Sequence, residues 1–184
     1  NMKLLTYDEL LHSKYRLTTM LFLFLNTATS LFLLLNFKYS SSSTVLLPTL
    51  LIPVMSIALF GWTFFRPKVK LKLLNSVSLL TGILWAWHIS LRYTQSAYAD
   101  GNFLLVSLIS IFFISSIALG DHLLAFCLHT APAALTVLML DAGHHLMLLL
   151  STISLPLIGF TLHHLMRRRS DNFLGARVRD PLFN

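Results

Sequence analysis

Charge is scarce in this sequence: only 11% of its 184 residues are Asp, Glu, Lys or Arg, and the acidic ones number seven against fourteen basic. A soluble domain keeps about a quarter of its positions charged, so the residues that would cover a water-facing surface are missing. Cysteine occurs once, at Cys127, which excludes an intramolecular disulfide framework. Its place inside an apolar block reads as a buried, inert thiol. The P-loop, dinucleotide-binding and H-E-x-x-H zinc motifs are all missing. No Ser, Cys or carboxylate has a paired base nearby in sequence, and Asp121 and Asp141 fall at opposite ends of one apolar block, so no catalytic site is expected.

Hydrophobic length is what the sequence does have. Apolar residues make up 55% of the chain and the mean hydropathy is +0.72. Six blocks run from Tyr15 to Asn36, Thr44 to Phe65, Leu71 to Leu91, Phe103 to Leu119, His122 to Leu140 and His144 to Met166. Each is close to the roughly 20 residues that cross about 30 Å of hydrocarbon as a helix. Without strand-type alternation, only a helix satisfies its own backbone in lipid. The fold class expected is therefore all-α, an integral membrane bundle of six transmembrane helices.

Orientation follows from the basic residues. If the N-terminus is cytoplasmic, twelve of the fourteen fall in inner segments, with only Lys38 and Arg92 outside, as the positive-inside rule requires. Both termini are expected in the cytoplasm. The net charge of +7 sits in these juxtamembrane clusters and calls for contact with an anionic leaflet, not nucleic acid. The organisation expected is an N-terminal interfacial segment (1–14), in which Leu4, Tyr7 and Leu11 share a helical face, a transmembrane domain (15–166) and a cytoplasmic linker (167–184).

The loops are too short for a soluble domain, so any ligand is expected among the helices. Pro48, Pro53, Pro132 and Pro156 kink or loosen their helices. Asn26, Asn75 and the Ser residues of the fourth block read as interhelical hydrogen bonds. Trp85 and Trp87 read as interfacial belt residues.

Seven of the eight histidines lie at or near the blocks, where ionisable groups are functional candidates. They form two layers. His88, His144 and His145 fall near the outer ends, while His122, His163 and His164 fall near the inner ends with His129 two turns deeper. At about 100° per residue His122 shares a face with His129, and His145 with His163. Neutral imidazoles from two helices can sandwich a haem or hold another metal. The outer candidates are His88 with His145 or His144; the inner ones are His163 or His164 with His122 or His129. As metal ligands proper, His88, His145, His129 and His163 stand first, and haem b, one or two per chain, is the cofactor expected. Histidines stacked along one helix resemble the membrane b-type cytochromes. The 18 residues from His145 to His163 span about 27 Å, wider than the ligand separation in those proteins. Helix-end anchoring is the simpler role for any single histidine.

The tail "RDPLFN", residues 179–184, resembles the opening of bacterial GGDEF diguanylate cyclase domains, commonly D-P-L-T-G or D-P-L-T-N. Asp180, Pro181, Leu182 and Asn184 match, and Phe183 replaces Thr. Six helices with both ends inside, followed by a short linker, are similar to the membrane-associated sensor (MASE) regions that precede such cyclases and some histidine kinases. The resemblance implies the input module of a signalling protein in the bacterial inner membrane. It also implies a homodimer and a downstream cyclase or kinase domain. A free-standing b-type cytochrome and a small transporter are the alternatives.

Overall fold

The computed structural model describes residues 7–35, 43–95, 101–141 and 146–178, with side chains at 43–45, 101, 146–152 and 170–178 left aside. Six helices follow in order: α1 (Tyr7–Leu35), α2 (Ser43–Phe64), α3 (Leu71–Gln95), α4 (Gly101–Leu119), α5 (Leu123–Asp141) and α6 (Leu146–Val178). No strand occurs among the described residues. Five of the helices, α1 to α5, are long and apolar enough to cross a bilayer.

The helices follow the hydropathy blocks but overrun them at two ends. The expected interfacial segment does not form a separate piece from Tyr7 onward, because α1 continues through Lys14 and Arg16 without a break. Likewise α6 runs past Arg167, Arg168 and Arg169 as far as Val178. The break between α4 and α5 is a tight turn at Gly120 and Asp121, where the His122 amide donates to the Leu119 carbonyl (3.0 Å) and the Phe126 amide donates to the His122 carbonyl (2.9 Å).

Helices α3 and α5 form the largest interface, and α1 with α2 the next. In hydrocarbon the apolar driving force between helices is lost, so close backbone approach and packing must hold a bundle together. Gly82 provides that approach: a Cβ placed on it would stand 2.5 Å from the His129 carbonyl oxygen and 3.0 Å from the His129 Cα. Ser78, one turn earlier, and Ala125 and Ala133, on either side of His129, are all fully buried. Small residues thus line the seam on both helices. Phe22, Leu23, Ile52, Leu74, Ile89, Leu104, Leu108 and Val137 complete the core.

Most hydroxyls stay within their own helices. Ser110, Ser115 and Ser116 donate to the carbonyls of Val106, Ile111 and Phe112, so these residues of the fourth block are not the interhelical bonds expected of them; the carbonyl four residues back is simply the nearest acceptor. Asn26 does bond across helices. Cys127 is exposed on α5, contrary to the buried thiol expected, because the buried face carries Ala125, Phe126, His129 and Thr130 and turns residue 127 outward.

Because the obstacle at Gly82 is backbone, Gly82→Ala is expected to destabilise the bundle by about 1–3 kcal/mol, the usual cost of overpacking. Gly61, where an added methyl group would meet nothing within 4 Å, serves as the comparison. Thermal unfolding in detergent should show a lower midpoint for Gly82→Ala and no such drop for Gly61→Ala.

Candidate functional site

A cavity of about 290 Å³ lies among α1, α3, α4 and α5, with Asn26, Trp85, His88, Arg92, Ser107, Ser110 and His129 in its lining and Phe32, Phe103, Ile111 and Ile114 among its apolar walls. That volume stands at the lower end for ligand pockets, which characteristically combine apolar walls with a few placed polar groups.

Hydrogen bonds between helices fix the polar side chains. Asn26 sits on the buried face of α1 and donates through Nδ2 to the Phe22 carbonyl (2.9 Å). Its Oδ1 accepts from the Trp85 indole Nε1 (2.6 Å). Trp85 is only 6% exposed, so it is an interior hydrogen-bonding residue and not the belt residue expected. Its ring stands edge-on to His88 at 5.6 Å. His88 Nδ1 lies 2.9 Å from the Thr49 hydroxyl of α2.

His129 is held at the α3–α5 seam. Its Nδ1 lies 3.1 Å from the Ser78 carbonyl oxygen and 3.1 Å from Thr81 Oγ1, while Phe22 packs edge-on against the ring at 4.7 Å. A carbonyl only accepts, so Nδ1 carries the hydrogen, and in the neutral ring Nε2 is left as a bare acceptor. His88 and His129 thus both line one cavity with Nδ1 engaged by the scaffold.

The other histidines are placed elsewhere. His163 of α6 donates from Nε2 to Asp121 Oδ1 (2.8 Å), with Arg167 3.8 Å from the same oxygen. The His163 ring also fills the space over Gly120, where a Cβ would meet Nδ1 at 2.6 Å. Burial alone would raise the Asp121 pKa, but the His163 hydrogen bond and the charges of Lys14 and Arg167 hold it below the ordinary carboxylate range. His122 stands edge-on to Tyr15 at 5.5 Å and its Nε2 is buried without a hydrogen-bond partner. Burial first, and then Lys14, keep it below the usual histidine range. His164 is exposed.

Among the inner histidines, the rings of His163, His122 and His129 each have a partner of their own. His163 turns to Asp121, His122 to Tyr15 and His129 to α3, because each ring takes the nearest polar or aromatic partner. The outer partners His144 and His145 lie outside the described residues, as do Asp180, Pro181, Leu182 and Asn184. No group of three or more His, Cys, Asp or Glu side chains is arranged to hold a metal among the described residues. A haem does not fit between the two helices at the seam, because α3 and α5 meet backbone to backbone at Gly82 and His129. Sequence reasoning did not single out Thr49 or Arg92. Arg92 follows His88 by one helical turn, a spacing that places the two on one face.

The His122 environment has a pH consequence. The unfolded chain takes up a proton near the ordinary histidine value of 6.5, whereas the folded chain resists it. Stability at this group is intact above that value and falls as pH drops through it toward the lower folded pKa. His122→Phe keeps a ring against Tyr15 without the titration, so its melting temperature should decline less than that of the wild type between pH 7 and pH 5. An unchanged slope would remove His122 as the cause.

No family model, curated protein or solved structure matches this chain, so the reading of the site rests on its geometry.

Proposed function

We propose that this chain is the membrane input module of a bacterial signalling protein, with the cavity among α1, α3, α4 and α5 as its ligand site and α6 as its output helix. The single observation that carries this reading is the position of α4 between the two. One side of α4 lines the cavity through Val106, Ser107, Ser110, Ile111 and Ile114. Its other side approaches α6 where Ser116 lies over Gly159 and lines a groove with α6 through Ile109, Phe113 and Ile117. A ligand that fills the cavity differently in two packings of α4 biases which packing is populated, and α6 reports the change.

Two further features support it. α6 packs on α4 and less on α5, with no substantial interface to α1, α2 or α3 among the described residues, so it can move without dismantling the α3–α5 seam. It is also one continuous helix to Val178, with Pro156 within it, and it extends nine residues and about 13 Å past Arg169, so a shift or rotation beyond Pro156 is carried to its end. In this reading all six helices cross the bacterial inner membrane with both termini cytoplasmic. The resemblance of residues 179–184 to the opening of a cyclase domain supports a downstream cyclase or kinase domain as the output, acting in a homodimer.

The cavity's chemistry suits a small amphipathic molecule. Arg92, Ser107 and the two histidines offer hydrogen bonds, and the aromatic and aliphatic walls offer apolar area. Haem, as the alternative occupant, requires His88 with His145 in place of His129.

The test joins the chain to a GGDEF cyclase domain and measures cyclic di-GMP in cells. Ser107→Trp, which fills the cavity from α4, should change the output severalfold. Leu135→Trp, at an α5 position 60% exposed on the outer surface, should not. Equal outputs from the wild type and both variants would remove the cavity from signalling. An absorption spectrum of the same protein decides the occupant: a reduced b-type α band lost in His88→Ala would establish haem.

A further inference from the structure

A second opening lies on the outer surface, between α4 and α6. It is a groove of about 530 Å³ whose walls are Ile109, Phe113 and Ile117 on one side and Leu155, Ile158 and Leu162 on the other. Its floor is low because Gly159 lets α6 come close to α4: a Cβ there would stand 2.9 Å from Ser116 Oγ. From Leu155 to Met166 the groove follows about 16 Å of helix, the depth of one leaflet's share of a roughly 30 Å hydrocarbon core.

The groove is mostly apolar, with Ser116 and His163 as its polar lining residues, and basic residues follow at one end. On α6 the stripe Leu155, Ile158, Leu162 and Met166 advances by three and four residues, and the next position on that face is Arg169. Arg168, one position earlier on the neighbouring face, and Arg169 are both exposed. Arg167 lies 3.8 Å from Asp121 in the α4–α5 turn, and Lys14 adds its charge near the same carboxylate. Arg167 and Lys14 therefore offset Asp121 at this end of the groove, which leaves Arg168 and Arg169 as further basic residues beyond Met166.

We propose that this groove is a binding site for an anionic phospholipid, with one acyl chain along the α4–α6 groove and the headgroup phosphate at Arg168 and Arg169. The inference rests on the membrane placement proposed above and is independent of the ligand cavity. An apolar channel one leaflet deep that ends at clustered guanidinium groups matches a lipid in both length and charge. Arginine forks pair with phosphate oxygens in two-point contacts, and basic pockets between membrane helices select anionic headgroups. Bound there, the lipid also tethers α6 to α4, so leaflet composition bears directly on the helix that carries the output.

Native mass spectrometry of the detergent-purified chain, offered phosphatidylglycerol or phosphatidylcholine of the same acyl composition, tests the site. The wild type should retain one phosphatidylglycerol and release phosphatidylcholine. Arg168→Gln with Arg169→Gln should weaken phosphatidylglycerol retention by one to two orders of magnitude, since each basic residue contributes on the order of fivefold. Ile117→Trp and, separately, Ile158→Trp fill the groove at positions 56% and 54% exposed, outside the core. Both should expel the lipid while circular dichroism stays helical. Equal retention of the two lipids would overturn the proposal, as would full retention by both tryptophan variants. A dimer that the tryptophan variants convert to monomer would overturn it too, by assigning the groove to a second copy. A chain that does not insert into liposomes would overturn the membrane placement itself, whereas insertion without lipid selectivity would overturn this site alone.

Discussion

The close approach of α3 and α5 at Gly82 is the constraint on which the rest of the structure depends. Helices in a hydrocarbon environment gain little from burying more hydrocarbon, so they associate where backbones can touch and polar groups can pair. Here the α5 backbone at His129 lies where a Gly82 side chain would be. That contact brings the His129 ring under the Ser78 carbonyl and the Thr81 hydroxyl. A larger residue at position 82 would separate the helices and leave the imidazole without its partners.

A second set of polar links ties α1 and α2 to the same helix. Trp85 reaches Asn26 on α1 and His88 meets Thr49 on α2. Asn26, Trp85, His88 and His129 then form part of the lining of one cavity, so the groups that join the helices are also the groups a ligand would meet. Helix α6 stands apart from that framework. It touches α4 through Gly159 and the Asp121–His163 pair, and Phe126 through Phe160 at 4.5 Å between ring centroids.

The helices were legible in the sequence because bilayer thickness sets the length of an apolar run, and that constraint is local. Where helices continue into polar sequence, as α1 does from Tyr7 and α6 does beyond Arg169, hydropathy sees only the apolar part and stops short. His88 and His129 also stood out in the sequence, from their place inside apolar blocks. Their partners did not. Thr49 and Asn26 are 39 and 59 residues from the side chains they bond, and only the rotation of each helix about its axis brings them together. The same rotation turned Cys127 outward and Trp85 inward, neither of which composition can decide. His163 was legible as polar near a helix end, but its pairing with Asp121 depends on how α6 docks at the α4–α5 turn.

The measurement that bears most directly on coupling between cavity and output helix is a pulsed electron resonance distance between the end of α2 and α6. Spin labels at Phe65→Cys and Leu165→Cys, both at exposed positions, in a Cys127→Ser background, give that distance in liposomes. Filling the cavity with Ser107→Trp is expected to shift the distance distribution relative to the unfilled protein. Superimposable distributions in the two proteins, with both folded and inserted, would show that the cavity does not act on α6.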